Sequence, residues 1–275
     1  MSNHFFHVLS RWLPLKNQAN WVLGAVIHTR GSVYRKTGAL MLLSDAGHQF
    51  GLLSGGCIES DLLLQARKVI ALGKSRRIIY DATDEDNIAW RLGIGCGGAA
   101  EILLHPCTAQ NNYLHLPDIH SCLQQHQACE LSLQLDCAEA IFSSCARDFT
   151  LRRAGYLQQG TGQQLTTIIN PLPHLLVLGN GMDMIPLCQL AIALGWRVTL
   201  ADQRVTPQKR ENFPADISVF NQSAEHLSAH YLQQVDAIVI AHHNMNLDAA
   251  AIANLQTRDL QNPYMGLLGP AQRKA

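Results

Sequence analysis

The segment Leu175-Leu176-Val177-Leu178-Gly179-Asn180-Gly181 decides the fold class of the C-terminal part of the chain. Four consecutive apolar residues predict a short buried strand, and residues 183–194, which come soon after, are predicted to form a helix. The Gly-x-Gly turn therefore joins a buried strand to a helix. This order is typical of a Rossmann-type domain, in which glycines permit a sharp turn and close backbone approach to a phosphate.

The rest of the C-terminal part continues the alternation of strands and helices. Four further strands are predicted, at Arg197–Ala201, Asp216–Phe220, Ala237–Ala241 and Tyr264–Leu268. Strands that alternate with helices predict a parallel sheet with helices on both faces. The alternation starts after Asn170-Pro171-Leu172-Pro173, so we place a domain boundary there. Residues 1–170 are the predicted N-terminal domain, and residues 171–275 are the predicted Rossmann-like domain.

The N-terminal domain is predicted to be mixed α/β. Its expected helices are His4–Lys16, Ile58–Leu72 and a segment near 118–128. Its expected strands are Asn20–Thr29, Ala39–Leu43, Gln49–Leu53, Arg76–Tyr80 and Ala99–Leu104. Gly73 follows the second helix, where a C-cap glycine is expected. The pattern defines residues 106–170 poorly, and we expect them to complete this domain or to link it to the next.

Composition excludes several classes of protein. The chain has 275 residues, of which 47% are hydrophobic and 15% charged, so a folded chain with a sizeable core is expected. The net charge is zero, which gives no electrostatic case for a nucleic-acid partner. No secretory signal and no run of about 18 apolar residues occurs, so we expect a cytoplasmic protein without a membrane span. The eight cysteines include no Cys-x-x-Cys pair and are expected to be reduced thiols.

Two cysteines lie in glycine-rich segments. Cys57 occurs in Leu53-Ser54-Gly55-Gly56-Cys57-Ile58-Glu59, where a helix begins, and the helix dipole and free N–H groups there favour a thiolate. Cys96 occurs in Leu92-Gly93-Ile94-Gly95-Cys96-Gly97-Gly98. The alternative is structural, namely a tightly packed cysteine and a set of tight turns. Two such cysteines in one domain are harder to explain by packing than either alone, so we favour a functional role.

In the Rossmann half, Gly179 and Gly181 are candidates for contact with a phosphate. Asp202 ends the second predicted strand 21 residues after Gly181, where an acid can bind a ribose hydroxyl. Met184 occupies the position of the third glycine of the usual fingerprint. A doubly wound domain with a vestigial site is the alternative.

Together these segments resemble the XdhC/CoxI family of xanthine dehydrogenase accessory proteins. The N-terminal resemblance rests on residues 29–35, on Gly38-Ala39 and on the two cysteine segments. The C-terminal resemblance rests on these segments: Gly179-Asn180-Gly181, Pro186-Leu187, Leu194-Gly195-Trp196, Val198, Asp202-Gln203-Arg204 and residues 264–270. It covers residues 20–105 and 174–270 and is weak between them.

The resemblance implies a chaperone rather than a turnover enzyme. Such a protein binds the molybdenum cofactor, as molybdopterin or a dinucleotide form, and protects it during sulfuration by a cysteine desulfurase. It then inserts the cofactor into an apo molybdenum hydroxylase of the xanthine dehydrogenase type, and it is expected to be a homodimer. On this chain the resemblance implies that Cys57 and Cys96 handle the metal or its sulfur. The implied cofactor contacts are Ser54, Gly55, Gly56, Gly95, Gly97, Gly98, Gly179, Gly181 and Asp202.

Three departures from the family pattern stand out. Ala241-His242-His243 replaces the usual Thr-His-Asp, which puts the role of that acid in doubt, although Asp248 is retained. Only Arg273 and Lys274 follow Pro270, where the family has a run of arginines. The chain also stops before the family's usual last helix and strand, which predicts either a truncated sheet edge or an edge that a partner completes.

Two other functions compete with this one. The first is an NAD(P)-dependent oxidoreductase that uses the Rossmann half, but its glycine fingerprint is incomplete and no His–Lys or Tyr–Lys pair stands out. Hydride chemistry would also leave both cysteine segments unexplained. The second is an interaction protein with a vestigial site, which predicts that no ligand binds.

Overall fold

The computed structural model describes residues 3–91, 97–145, 159–161, 164–258, 260 and 263–269. Contacts within the chain divide it into a unit of residues 3–171 and a unit that begins at Leu172. No helix in the described ranges combines the length and apolar character needed to cross a membrane.

The N-terminal unit contains two antiparallel sheets. The first has the order β3-β2-β1-β5-β4 and the second the order β7-β6-β9-β8. The strands of the first are β1 (Trp21–Arg30), β2 (Leu40–Ser44), β3 (Gln49–Gly51), β4 (Arg76–Asp81) and β5 (Ala99–Cys107). Those of the second are β6 (Ala128–Gln134), β7 (Ala140–Cys145), β8 (Gln159–Thr161) and β9 (Gln164–Ile169). The helices are α1 (Phe5–Trp12), α2 (Glu59–Leu72), α3 (Ile88–Arg91) and α4 (Leu116–Gln124).

The first sheet is covered on both faces, which explains the continuous apolar run in β1. Val22 and Val26 pack with Leu62 of α2 on one face. Leu23 and Ala25 face the opposite way and pack in a core shared with α1, α4 and the second sheet. Burying a leucine such as Leu62 stabilises the fold by about 1.5–3 kcal/mol. The central strand β1 therefore fixes the position of α2.

Three element ends differ from the predicted ones for local reasons. α1 stops at Trp12 because Pro14 lies in the 3₁₀ turn Leu13–Leu15 that follows. β3 stops at Gly51, whose φ of 96° takes the backbone out of the extended region. α4 stops at Gln124, and His126 shortly after it has a φ of 59°.

A left-handed turn precedes α4. Asn112, Tyr113, Leu114 and His115 have φ values of 50°, 49°, 53° and 61°. Each such residue costs roughly 1–2 kcal/mol because Cβ crowds the following carbonyl oxygen. The turn is held by full burial of Leu114 and by the Tyr113 hydroxyl, which donates to Asn17 Oδ1 at 2.6 Å.

The C-terminal unit is a parallel sheet in the order β12-β11-β10-β13-β14. Its strands are β10 (His174–Leu178), β11 (Arg197–Ala201), β12 (Ser218–Phe220), β13 (Ala237–Ile240) and β14 (Tyr264–Leu267). Its helices are α5 (Met184–Ala193), α6 (Pro207–Glu211), α7 (Ala229–Leu232) and α8 (Met245–Gln256). α5 packs on one face of the sheet, while α7 and α8 pack on the other.

The strand order reverses direction beside β10. From β10 the chain continues to β11 and β12 on one side, and then returns to β13 on the other side. This is the topological switch point, and ligands of doubly wound sheets bind there, at the carboxyl ends of the strands. Gly179 follows β10 at this edge, and Ala241-His242-His243 follows β13.

Candidate functional site

The Cys57 segment is a loop between β3 and α2. Glu59, the first residue of α2, holds this loop by hydrogen bonds. The buried Glu59 carboxylate accepts hydrogen bonds from the Ser54 N–H at 2.9 Å and the Ser54 hydroxyl at 2.5 Å. It also accepts from the Ile58 N–H at 3.2 Å. A carboxylate in the first turn of a helix is favoured by the helix dipole. Glu59 therefore holds the loop in one conformation.

Cys57 itself is half-buried and lines an open cleft. Its Sγ lies 3.6 Å from Ser54 Oγ. Since the Ser54 hydroxyl donates its hydrogen to Glu59, its oxygen accepts from the thiol and from the Gly56 N–H at 3.2 Å. The thiol is thus oriented within the cleft by a hydrogen-bonded chain that ends at a buried carboxylate.

The other walls of this cleft come from three parts of the N-terminal unit. Tyr34 and Arg35 follow β1, Tyr80 lies on β4, and Gly98 leads into β5. Burial, together with the hydrogen bond that its hydroxyl donates to Asp61 Oδ2 at 2.6 Å, raises the pKa of Tyr80. The structure therefore brings Ser54, Cys57 and Gly98 to one cleft. Gly95 and Cys96 lie outside the described residues.

The glycines of this site divide into two groups. A Cβ on Gly98 would overlap the carbonyl oxygen of Ser32, and one on Gly55 would lie 3.3 Å from the Tyr34 ring. Gly56 and Gly97 have φ values of 105° and 64°, and no other described atom lies within 4 Å of a Cβ built there. Gly98 and Gly55 serve close packing, whereas Gly56 and Gly97 leave space beside the cysteine segments.

Among the other described cysteines, Cys145 is half-buried like Cys57, but it does not line the cleft. Cys107, Cys122, Cys129 and Cys188 are buried, and Cys137 is exposed. Burial raises the pKa of Cys188 to about 11. No group of three or more His, Cys, Asp or Glu side chains in the described ranges is arranged to hold a metal ion.

The glycine turn after β10 brings two loops together at the switch point. Gly179 has a φ of 130°, and a Cβ there would overlap the carbonyl oxygen of Ala241, so glycine is required for this close approach. A Cβ on Gly181 would meet only the ends of the Asp183 and His243 side chains. Those two side chains are exposed and pair across the loops, with Nε2 and Oδ1 2.9 Å apart.

Asp202 follows β11 directly, as expected, but both of its carboxylate oxygens accept hydrogen bonds from Arg204. Oδ1 accepts from the Arg204 N–H at 2.8 Å, and Oδ2 accepts from the guanidinium at 2.6 Å. Burial alone would raise the pKa of Asp202, but these hydrogen bonds and the Arg204 charge hold it below its usual value. A ribose contact stays a prediction, and it requires the hydroxyl to share this carboxylate with Arg204. The Asp-x-Arg spacing is the sequence signal for this pair.

Sequence reasoning missed a second pair, between His242 and Asp248. The His242 Nδ1 lies 3.0 Å from Asp248 Oδ1, and both side chains are more than nine-tenths buried. The His242 backbone N–H donates to the same oxygen at 3.1 Å. The Arg204 guanidinium donates to the His242 carbonyl at 3.1 Å, so the two pairs form one network.

Comparisons with known proteins match both units. The sequence model of the XdhC and CoxI family matches residues 15–81, and that of the XdhC Rossmann domain matches residues 175–275. A Bacillus subtilis relative, named as a probable subunit of xanthine dehydrogenase, is 30% identical over 287 residues, covering 98% of this chain and 84% of the relative. The Escherichia coli molybdenum cofactor insertion chaperone PaoD is 24% identical over 251 residues, covering 90% of this chain and 66% of PaoD.

A solved structure is also similar. The crystal structure of a Bacillus halodurans protein described as a xanthine dehydrogenase has a TM-score of 0.78 and 26% identity to this chain. The alignment covers all of this chain and 84% of that one. With the Rossmann match, this likeness confirms the predicted fold class of a mixed α/β N-terminal part followed by a Rossmann-like parallel sheet.

Proposed function

The chain belongs to the XdhC and CoxI family, and we propose that it binds the molybdenum cofactor and inserts it into a hydroxylase of the xanthine dehydrogenase type. PaoD, a relative named for molybdenum cofactor insertion, supports this function. Within the chain, one observation carries the proposal: the half-buried Cys57 lines an open cleft in a loop held by Glu59.

The chemistry of Cys57 suits a cargo that contains molybdenum and sulfur. Thiolates are soft metal ligands and good sulfur nucleophiles. When bound, the cofactor supplies the metal centre that the hydroxylase later uses. Cys57 and Cys96 would hold this centre or a sulfur in transfer, with Ser54 orienting the Cys57 thiol.

Further parts of the proposal concern partners and the rest of the cargo. Gly179, Gly181 and the network around Asp202 would contact the phosphate or nucleotide end. Sulfur would come from a cysteine desulfurase, and the apo-hydroxylase would take the finished cofactor. We expect the chain to act as a homodimer in the cytoplasm.

The experiment is delivery of cofactor to an apo-hydroxylase by a Cys57→Ala, Cys96→Ala double variant. We expect the variant to fold, to retain less molybdenum after purification, and to activate the apo-hydroxylase no faster than cofactor without chaperone. Cys137→Ala is the matched control, since it removes an exposed thiol from the turn between β6 and β7. Delivery by the double variant at the wild-type rate would mean that the cysteine loops are structural.

Alkylation provides a second readout of the same site. Cys57 and Cys96 should react with iodoacetamide faster than the fully buried Cys188, and bound cofactor should slow the reaction of both. Cys137 should react at the same rate with and without cofactor. Equal protection of Cys57 and Cys137 would place the cofactor elsewhere.

A further inference from the structure

A second cleft opens at the carboxyl edge of the parallel sheet, on the side covered by α8. Its polar lining is Gln203 after β11, Ser223 and Glu225 after β12, and His242 after β13. Its apolar lining is Ala224, Leu247, Ala250 and Ala251. The delivery chemistry assigned to Cys57 makes no use of this cleft.

His242 gives the cleft a fixed hydrogen-bonding group. A carboxylate only accepts, so in the neutral imidazole the hydrogen lies on Nδ1, which donates to Asp248 Oδ1 at 3.0 Å. Nε2 is then an acceptor, and no described residue hydrogen-bonds to it. The side chain is 94% buried, because its exposed fraction is 6%. Because His242 lines the cleft, a ligand bound there can donate a hydrogen bond to this acceptor.

The position of this acceptor is set by the side chains of Asp248 and Arg204. The Asp248 carboxylate binds both the ring and the N–H of His242, and Arg204 binds its carbonyl. Arg204 is in turn held by both carboxylate oxygens of Asp202. An acceptor fixed in this way needs little reorganisation to bind a ligand, which favours specific recognition.

The apolar lining of the cleft selects the shape of the ligand. Alanine side chains at 224, 250 and 251 present a low surface without branches, and Leu247 extends it. Such a wall suits the face of a flat ring, while the polar groups suit the ring's hydrogen-bonding edge. The cleft shares the sheet edge with Gly179 and Gly181, and dinucleotides bind across this edge in doubly wound sheets.

We propose that this cleft binds a nucleobase, with an amino group at the base's edge donating to His242 Nε2 and the phosphates at Gly179 and Gly181. The inference rests on the proposed function, because the nucleotide would be one end of the molybdenum cofactor. It selects the dinucleotide form of that cofactor over bare molybdopterin.

Calorimetric titration of the full chain with CMP, AMP, GMP and UMP tests the proposal. We expect at least one nucleotide with an amino group to bind about tenfold or more tightly than UMP, which presents carbonyl oxygens at the corresponding edge. No binding by any of the four, or binding of UMP as tight as that of the best of the others, would overturn the assignment.

A pair of variants on α8 locates the binding. Ala250→Leu fills the cleft from an exposed position without touching the His242–Asp248 pair, and should weaken binding about tenfold, or ~1.4 kcal/mol. Ala249→Leu is the matched control, because Ala249 is exposed on the same helix but does not line the cleft, and it should bind like wild type. Equal effects of both variants would place the base elsewhere.

The outcome is separable from that of the proposed function. A chain that binds no nucleotide but still delivers bare molybdopterin through Cys57 and Cys96 would refute only this inference. A chain that binds CMP or AMP in the cleft but delivers nothing to an apo-hydroxylase would refute the proposed function and leave the base site standing.

Discussion

The glycine-rich segments of the two units look alike in sequence, yet within each unit the glycines have different structural roles. Gly98 and Gly179 both lie where a Cβ would overlap a backbone carbonyl oxygen, that of Ser32 in one unit and that of Ala241 in the other. Gly56 and Gly181 have no such backbone neighbour among the described residues. In each unit, therefore, one glycine is required by close backbone packing, whereas at another a Cβ would meet no atom or only the ends of side chains.

The units also differ in the titratable groups that they bury. In the N-terminal unit, burial lowers the pKa values of His4 and His105 to about 4. The His105 Nε2 donates to the Gln134 carbonyl, and its Nδ1 accepts from the Ser75 hydroxyl. In the C-terminal unit, Arg204 holds the pKa of Asp202 below its usual value.

The largest effect that we predict is acid destabilisation of the N-terminal unit. His4 and His105 bind protons in the unfolded chain below a pH of about 6.5, but in the folded chain only near pH 4. Stability therefore falls as the pH falls from 6.5 to 4, by at most about 3 kcal/mol per histidine. The contribution of Asp202 is lost only at a lower pH, below the usual aspartate value.

Urea unfolding followed by tryptophan fluorescence checks this difference. In a Trp196→Phe background, the remaining three of the four tryptophans all belong to the N-terminal unit. His105→Gln should reduce the loss of stability between pH 6.5 and 4.5, and the exposed control His230→Gln should not. Equal pH dependence in both variants would remove His105 from the explanation.

The second prediction tests the division among glycines. Gly98→Ala should destabilise the chain by ~3 kcal/mol, because its Cβ meets backbone that must shift. Gly56→Ala should cost only about 1–2 kcal/mol, from its positive φ. Gly47→Ala is the control, with a φ of 90° and no described atom within 4 Å, and should match Gly56→Ala in stability without slowing cofactor delivery. Equal losses of stability in Gly98→Ala and Gly56→Ala would contradict the division between the two kinds of glycine.

The smallest stability effect is expected at Gly181. Gly181→Asp should fold with a loss below about 1 kcal/mol, because the new side chain displaces only exposed side-chain ends. Its carboxylate should repel phosphate and weaken nucleotide binding about tenfold by calorimetry. Gly181→Ala provides the uncharged comparison and should lose less affinity. Unchanged affinity in folded Gly181→Asp would remove the glycine turn from the site.

The strands of the C-terminal sheet could be predicted from the sequence more closely than the side-chain contacts at the carboxyl ends of those strands. The strand Arg197–Ala201 has the predicted bounds, and its last four residues are buried, as expected for a strand covered on both faces of a parallel sheet. β7 was not predicted as a separate strand, since all of its residues are exposed or half-exposed and its only apolar run, Ala140-Ile141-Phe142, is short. The Arg204 bond to Asp202 and the His242 bond to Asp248 depend on backbone direction just beyond a strand, which residue patterns do not specify.

The left-handed turn before α4 restricts which amino acids can occupy positions 112–115, because L-amino acids differ in how well they tolerate a positive φ. β-Branched residues fit poorly at positive φ, so substitution by valine, isoleucine or threonine is selected against there, even where the side chain is exposed. Glycine, which has no preferred hand, relaxes that turn at the exposed Asn112. Leu114 is constrained twice, by its handedness and by its full burial. Substitution in this segment is therefore limited by the left-handed backbone conformation as much as by the hydrophobic core.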